Sequence, residues 1–343
     1  MVQIMKAAVF YGKNDLRIEE RPVLAPSEGE ILIRVRACGV CGTDVHIFAG
    51  DEGAAQTPPG TILGHEFSGE IVAVGPGVDG LSAGNRVCVD PNKYCGVCDA
   101  CRGGYAHFCT DMTGYGTTKD GGFAEYCTVP ASQAYLIGDS LSYLEAAMAE
   151  PVACCLHGID LCGIKAGSTV LVIGGGMIGL IMLQLARLHG AAIVVLSEPV
   201  AEKRALAVQL GADLTLDPNA GDAAKALRTH GISRVDTVIE CVGSPGTMAQ
   251  AIKLASPMAT VMLFGLAKPS QEITIQPFDI FKREIVLKAS YINPYTQKRA
   301  VALIQSARLD VTSMMCPPAP LEELPEILAD PVRRSAGKYV ILP

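Results

Sequence analysis

The chain has no tryptophan, no low-complexity stretch, no internal repeat and no run of basic residues. Its net charge is −7 and its pI is near 5.4. Without a basic stripe, binding to nucleic acid has no electrostatic support. No unbroken apolar segment reaches the roughly 20 residues that a membrane span needs. The longest apolar run, about 170–188, is interrupted by Gly174, Gly175, Gly176 and Gly179 and by the polar Gln184, so no membrane partner is expected. No secretory leader is expected either, since Met1 runs almost directly into the strand-like KAAVF, with no long apolar core and no small-residue cleavage site. A reducing, cytoplasmic setting is the expectation.

Two things are plentiful. Hydrophobic residues make up 49% of 343 positions, ample for large cores, and a chain of this length suggests two domains at about 150 residues each. There are also thirteen cysteines. An odd count in a reducing compartment does not read as a disulfide framework. A close-set group of four there reads as a metal site. Cys95, Cys98, Cys101 and Cys109 form that group, spaced C-x2-C-x2-C-x7-C. Four soft thiolates on one short loop suit a closed tetrahedral Zn²⁺ site. Iron–sulfur clusters use four thiolates too, and spacing alone leaves that alternative open.

Residues 5–150 read as β-rich. MKAAVF, LRIEE, EILIRVRACGV, FSGEIVAVG, RVCVD and FAEYCTV are short β-branched or alternating runs separated by Gly, Pro and Asp. The pattern predicts a barrel or irregular sandwich. Cys41, His65 and Glu66 in this region offer one sulfur, one nitrogen and one oxygen donor. Three protein ligands and an open position are how catalytic zinc is usually held, although a lone cysteine is more often a small core residue, a lone histidine more often a satisfied hydrogen-bonding group, and a Gly-His-Glu tripeptide means little without context. Asp44 reads either as the carboxylate behind a ligating histidine or as a helix cap.

The character changes at residue 169. TVLVI (169–173) is a buried-strand run. Gly174, Gly176 and Gly179, with Met177 and Ile178 between the last two, form a G-x-G-x-x-G turn. An amphipathic helix, a second strand and Glu198 follow. This order is the context a dinucleotide fingerprint requires. The glycines permit the tight turn, the approach of the pyrophosphate and close helix–strand packing. Glu198 can accept from ribose hydroxyls and repel a 2′-phosphate, which favours NAD, with Arg204 nearby as a complication. Further strands near 214–216, 235–240, 260–264 and 285–288 alternate with helices, predicting a six-stranded, doubly wound parallel sheet. Cofactor contacts are expected from the loops carrying Cys241 and Val242 and Phe264, Gly265 and Leu266, at the strands' carboxyl ends. The segment 296–308 reads as an amphipathic core helix with Ala300, Leu303 and Ile304 inward.

With these motifs in hand, the chain resembles the zinc-dependent medium-chain dehydrogenases/reductases, and is most similar to their polyol (sorbitol/xylitol/arabinitol) and butanediol branch, with threonine dehydrogenase a near relative. The resemblance rests on CGTDVH (41–46), GHEFSGEIVAVGPGV (64–78), the four-cysteine lobe, GGFAEY (121–126), EP (150–151) and GGGMIG (174–179). It implies a GroES-like catalytic domain over 1–152 and 290–343 and a Rossmann domain over 153–289. It also implies two Zn²⁺ per chain: a catalytic ion on Cys41, His65 and Glu66, with Glu150 binding directly or through water, and a structural ion on the four cysteines. Thr43 is implied to meet the alcohol hydroxyl and His46 to carry its proton out. Ser290 and Tyr291 are implied to lie beside cofactor and substrate. An arginine that sorbitol-type relatives place before this tyrosine is absent, and Ile47 replaces a branch tyrosine, so a substrate shorter or less hydroxylated than sorbitol is expected. The implied reaction is NAD-dependent oxidation of a secondary alcohol by a homodimer or homotetramer. A non-catalytic, dinucleotide-binding redox sensor is the remote alternative, and it would have no use for the Thr43–His46 relay.

Overall fold

The computed structural model describes residues 3–51 and 56–343. The chain forms two compact units, one comprising Met1–Ala153 and Pro294–Pro343, the other Cys154–Asn293.

The first unit is built on β-structure. Its main sheet places Ala134–Leu136, Arg86–Val89, Glu66–Val74, Glu30–Gly39, Val340–Leu342 and Ala319–Pro320 side by side, and Tyr126–Pro130 also pairs with Glu30–Gly39. A smaller sheet joins Asp15–Pro22, Ile4–Gly12 and Thr61–Ile62. The strands alternate as a half-buried sheet should: Ile31, Ile33 and Val35 of one strand and Phe67 and Ile71 of its neighbour are buried in a single apolar cluster. Full burial of each such side chain is worth roughly 1.5–3 kcal/mol. That is ample to hold a register in which a one-residue slip would turn the whole set outward. The register sets Gly39 opposite both Glu66 and Val340. The start of one strand, the end of the second and the approach to the third therefore meet at one end of the sheet. The predicted core helix near 300 spans Gln297–Gln305, and Ala300, Val301 and Ile304 are its buried apolar positions; Leu303 is half-buried.

The second unit is a single sheet of six parallel strands in the order Leu214–Leu216, Ile193–Ser197, Thr169–Ile173, Thr237–Glu240, Thr260–Leu263, Val286–Ala289. Thr169–Ile173 is buried throughout, as a central parallel strand must be. Chain direction along the sheet reverses beside it. This reversal is the switch point outside whose strand ends doubly wound sheets bind ligands. Among the described residues, no helix is long and apolar enough to cross a membrane.

Candidate active site and metal centres

Two groups of described residues bring metal-type ligand atoms within 4.8 Å of one another: Cys95, Cys98, Cys101 and Cys109, and Cys41, His65 and Glu66.

The four-cysteine group sits between the short paired strands Asn92–Lys93 and Thr113–Gly114, around the one-turn helix Asp99–Arg102. Backbone N–H groups point at the sulfurs. Cys95 and Asp111 donate to Cys109 Sγ at 3.3 and 3.4 Å, and Cys98 donates to Cys95 Sγ at 3.3 Å. Such donors favour thiolate over thiol. The N–H groups of Cys101 and Thr110 lower the Cys98 pKa to about 6. Cys101 goes the other way. Desolvation, with the neighbouring thiols adding, pushes it up to about 12. Gathered sulfurs that cannot all ionise alone are a donor set suited to a cation.

The second group is assembled at the end of the main sheet. Cys41 leaves the Glu30–Gly39 strand and becomes the N-cap of the helix Gly42–Phe48. Glu66 opens the neighbouring strand Glu66–Val74, and His65 directly precedes it. Asp44 takes the helix-cap role and also lies beside His65, although neither His65 Nδ1 nor the facing Asp44 oxygen has a hydrogen-bond partner. One carboxylate oxygen accepts from the Cys41 backbone N–H at 2.8 Å and completes a capping box, and the other lies 3.4 Å from His65 Nδ1. A carboxylate behind one ring nitrogen turns the other toward a metal. Burial works to lower the His65 pKa, but the Asp44 carboxylate and the Cys41 sulfur outweigh it and hold it well above the ordinary value. The pocket is thus strongly negative.

Glu66 is fully buried. Its Oε2 is ion-paired with Lys338, and its Oε1 has no hydrogen-bond partner. Leaving a buried carboxylate oxygen unpaired costs about 1–3 kcal/mol or more. An orphan oxygen beside a cysteine and a histidine is what a metal would satisfy, so the donors fit zinc. Lys338 carried no local signal beyond a glycine–lysine pair ahead of the last strand. Burial works to lower its pKa, and Glu66, then Cys41 and Asp44, more than reverse that.

Glu150, in the first turn of the helix Ala149–Cys162, is buried but does not join the three-ligand group. Thr43 and His46 lie three positions apart on the helix that follows Cys41, and so share a face; Asp44, Ile47 and Phe48 are the buried side of that helix. His46 Nδ1 is 3.1 Å from Asp51 Oδ2.

In the second unit, Gly174 has φ +101°, a backbone conformation open to glycine. A Cβ at Gly179 would lie 1.8 Å from the Gly174 carbonyl oxygen, so the helix can pack on the turn only with glycine there. No side chain caps the helix Met177–Leu188. Its first N–H groups are thus available to an anion, and Ile178 rides in this first turn. Glu198 is buried against the turn. Its Oε2 accepts from Gly175 N at 2.7 Å and its Oε1 from Val200 N at 3.0 Å. The Arg204 guanidinium donates to the Glu198 and Pro199 carbonyls, both at 2.7 Å, and lies 3.5 Å from Asp217. Sequence reasoning also passed over Glu240. Fully buried, it accepts from the Val242 and Gly243 N–H groups and the Thr247 hydroxyl, while its own carbonyl receives the Phe264 and Gly265 N–H groups. It therefore ties the loop of Cys241 and Val242 to that of Phe264, Gly265 and Leu266. Ser290 and Tyr291 follow the last strand of the same sheet, and Ser290 Oγ is buried without a hydrogen-bond partner.

A β-rich unit with a cysteine–histidine–glutamate group and a separate parallel-sheet unit with a glycine turn define a metal-assisted nicotinamide dehydrogenase. Residues 27–139 match the family described as alcohol dehydrogenase GroES-like domain and residues 177–306 that described as zinc-binding dehydrogenase. The chain belongs to the zinc-dependent medium-chain dehydrogenases, in their polyol-like branch. It is 37% identical to the L-threonine 3-dehydrogenase of Pyrococcus abyssi over 82% of this chain and 80% of that one. It is 33% identical to D-arabinitol dehydrogenase 1 of Uromyces fabae over 98% and 97%. A solved zinc-binding dehydrogenase of Sinorhizobium meliloti 1021, bound to NADP, superposes with a TM-score of 0.96 at 39% identity, covering 99% of this chain and all of that one.

Proposed function

We propose that the protein oxidises a secondary alcohol of a polyol or diol to a ketone, with NAD as the oxidant. Cys41, His65 and Glu66 would hold a zinc ion, which would supply Lewis acidity to a hydroxyl, and the glycine turn of the second unit would hold NAD, which would supply the hydride acceptor. Asp44 keeps His65 in the tautomer that presents Nε2. The Thr43 hydroxyl accepts the hydrogen bond of the reacting alcohol. His46 donates Nδ1–H to Asp51 and keeps the Nε2 lone pair as the base that takes the proton outward. Glu150, outside the close group, is assigned to the same site as a carboxylate that would bind the ion through water or in place of that water. The carrying observation is the convergence of Cys41, His65 and Glu66 with one Glu66 oxygen unpartnered.

Substrate class is tested by following NADH formation with sorbitol, xylitol, arabinitol, 2,3-butanediol and threonine. Turnover of a polyol or diol is expected. Turnover of threonine alone would replace this reading with the one the Pyrococcus relative favours, and turnover of none would overturn it. NAD is favoured because Glu198 stands at the glycine turn and Arg204 is engaged by two carbonyls and Asp217. A kcat/KM higher with NADP than with NAD would overturn that assignment.

We further assign a homo-oligomer, formed along the free edge of the six-stranded sheet. Val286–Ala289 ends the sheet unpaired, and Met258, Phe278 and Phe281 are each at least 70% exposed nearby. An exposed apolar edge is a template for pairing. Phe281→Asp should lower the mass measured by light scattering; an unchanged mass would move the interface elsewhere. A reducing cytoplasm is the setting we propose, a reading supported by the thirteen cysteines.

A further inference from the structure

Lys338 is the one lysine or arginine among the described residues that is buried. It reaches the metal group from a backbone fixed on both sides: its N–H donates to the Met314 carbonyl at 2.9 Å and its carbonyl accepts from Cys316 N at 2.8 Å. The sheet keeps a space for the ion pair it makes. Gly39 lies opposite Glu66, and a Cβ there would fall 2.2 Å from Glu66 Oε2 and 3.0 Å from Lys338 Cε. An isolated buried ion pair is a weak source of stability compared with apolar packing, so its presence calls for another reason. Charge supplies one. Within the close group and the carboxylate beside it, with Glu150 outside, the Cys41 thiolate, Asp44 and Glu66 bring three negative charges together, and a divalent cation cancels two. Lys338 cancels the third.

We infer that Lys338 is a positioning residue of this metal centre: it holds Oε2 of Glu66 so that Oε1 is the oxygen presented to a divalent cation, and it balances the remaining negative charge of the group. This rests on the function proposed above and concerns coordination, not the chemical step.

The test uses the full-length protein with zinc at the four cysteines and Co²⁺ at the second group. Its readouts are the cobalt absorption bands and the rate of cobalt loss to a chelator. Lys338→Met is expected to shift the bands and to release cobalt about ten- to a hundredfold faster, the usual range for losing a group behind a ligand. Zinc at the four cysteines should be retained, and Lys338→Arg should restore both readouts. Bands and release indistinguishable from wild type in Lys338→Met would overturn the inference. Should that variant fail to fold, Glu66→Gln and Glu66→Gln/Lys338→Met decide. Charge balance requires the double variant to hold cobalt more tightly than the single one, and the reverse order overturns it. A wild-type protein that takes up no second metal would overturn this inference together with the proposed function; two metals with an unaffected Lys338→Met overturn this inference alone.

Discussion

The two candidate metal groups belong to the same unit and are built in opposite ways. The four cysteines lie within one stretch whose ends are 14 positions apart. Their side chains are partly exposed, and backbone N–H groups of the same stretch lower the pKa of Cys95 and Cys98. Cys41, His65 and Glu66 come from the ends of two different strands, and the cation beside them lies 272 positions from Glu66. His65, Glu66, Asp44 and Lys338 are all buried. A local group carries its electrostatics with it and needs only a hairpin; a distributed one needs the whole sheet in register. The first suits holding a shape, the second suits chemistry in a place where charges are poorly screened.

This contrast can be broken most directly at His65. His65→Ala should lower turnover by roughly a thousandfold or more, the several kcal/mol that metal polarisation supplies. NAD binding measured by calorimetry and the melting temperature should change little. Full activity in a metal-free His65→Ala protein would end the distinction between the groups. Cys98→Ser should do the reverse: a melting temperature lower by roughly 10 °C, with the specific activity of the surviving enzyme close to wild type. A purely catalytic defect there would refute the structural role.

A smaller effect is expected where the two designs meet the sheet. Gly39→Ala intrudes on the Glu66–Lys338 pair and should destabilise by about 1–3 kcal/mol, while weakening metal retention at the second group only. Equal loss of metal from the four cysteines would show that the groups are not independent. The smallest effect is in reactivity. In metal-stripped protein, Cys98 should be the first thiol alkylated by iodoacetamide, with a midpoint near its pKa of about 6. A thiol pKa lowered by folding stabilises the folded state above the unfolded value and loses that contribution as pH falls through the lowered one. Cys101, pushed up to about 12, has the opposite sign and loses its contribution as pH rises above the ordinary thiol value, so the metal-free lobe should be best ordered near that value and less so in acid and in alkali. Preferential labelling of Cys41 would contradict the difference in access.

The same contrast explains what could be read before the structure. The four cysteines and the glycine turn are local patterns whose spacing implies their geometry. Strand alternation made the β-rich half visible, and βαβ order made the parallel sheet visible. Cys41, His65 and Glu66 were recognisable as donor types, but their meeting depends on the pairing of Gly39 with Glu66, which no spacing reveals. Glu150 is implied at this site by the family resemblance alone, as a carboxylate that binds through water or replaces that water, and it lies outside the three-ligand group. Lys338 and Glu240 were missed for one reason. Each acts through a contact defined by the tertiary fold, and a lysine before a terminal strand or an acid ending a buried one looks ordinary in a linear chain.

The carboxylate of Glu198 has a consequence for redesign. It braces the backbone at Gly175 and Val200, so under the proposal that it also meets the cofactor ribose, exchanging it for a small or basic residue to admit a phosphorylated cofactor also removes the clamp that shapes the turn. A successful switch of coenzyme has to install a replacement acceptor for those two amides, and a single substitution at this position trades selectivity for a loosened binding loop.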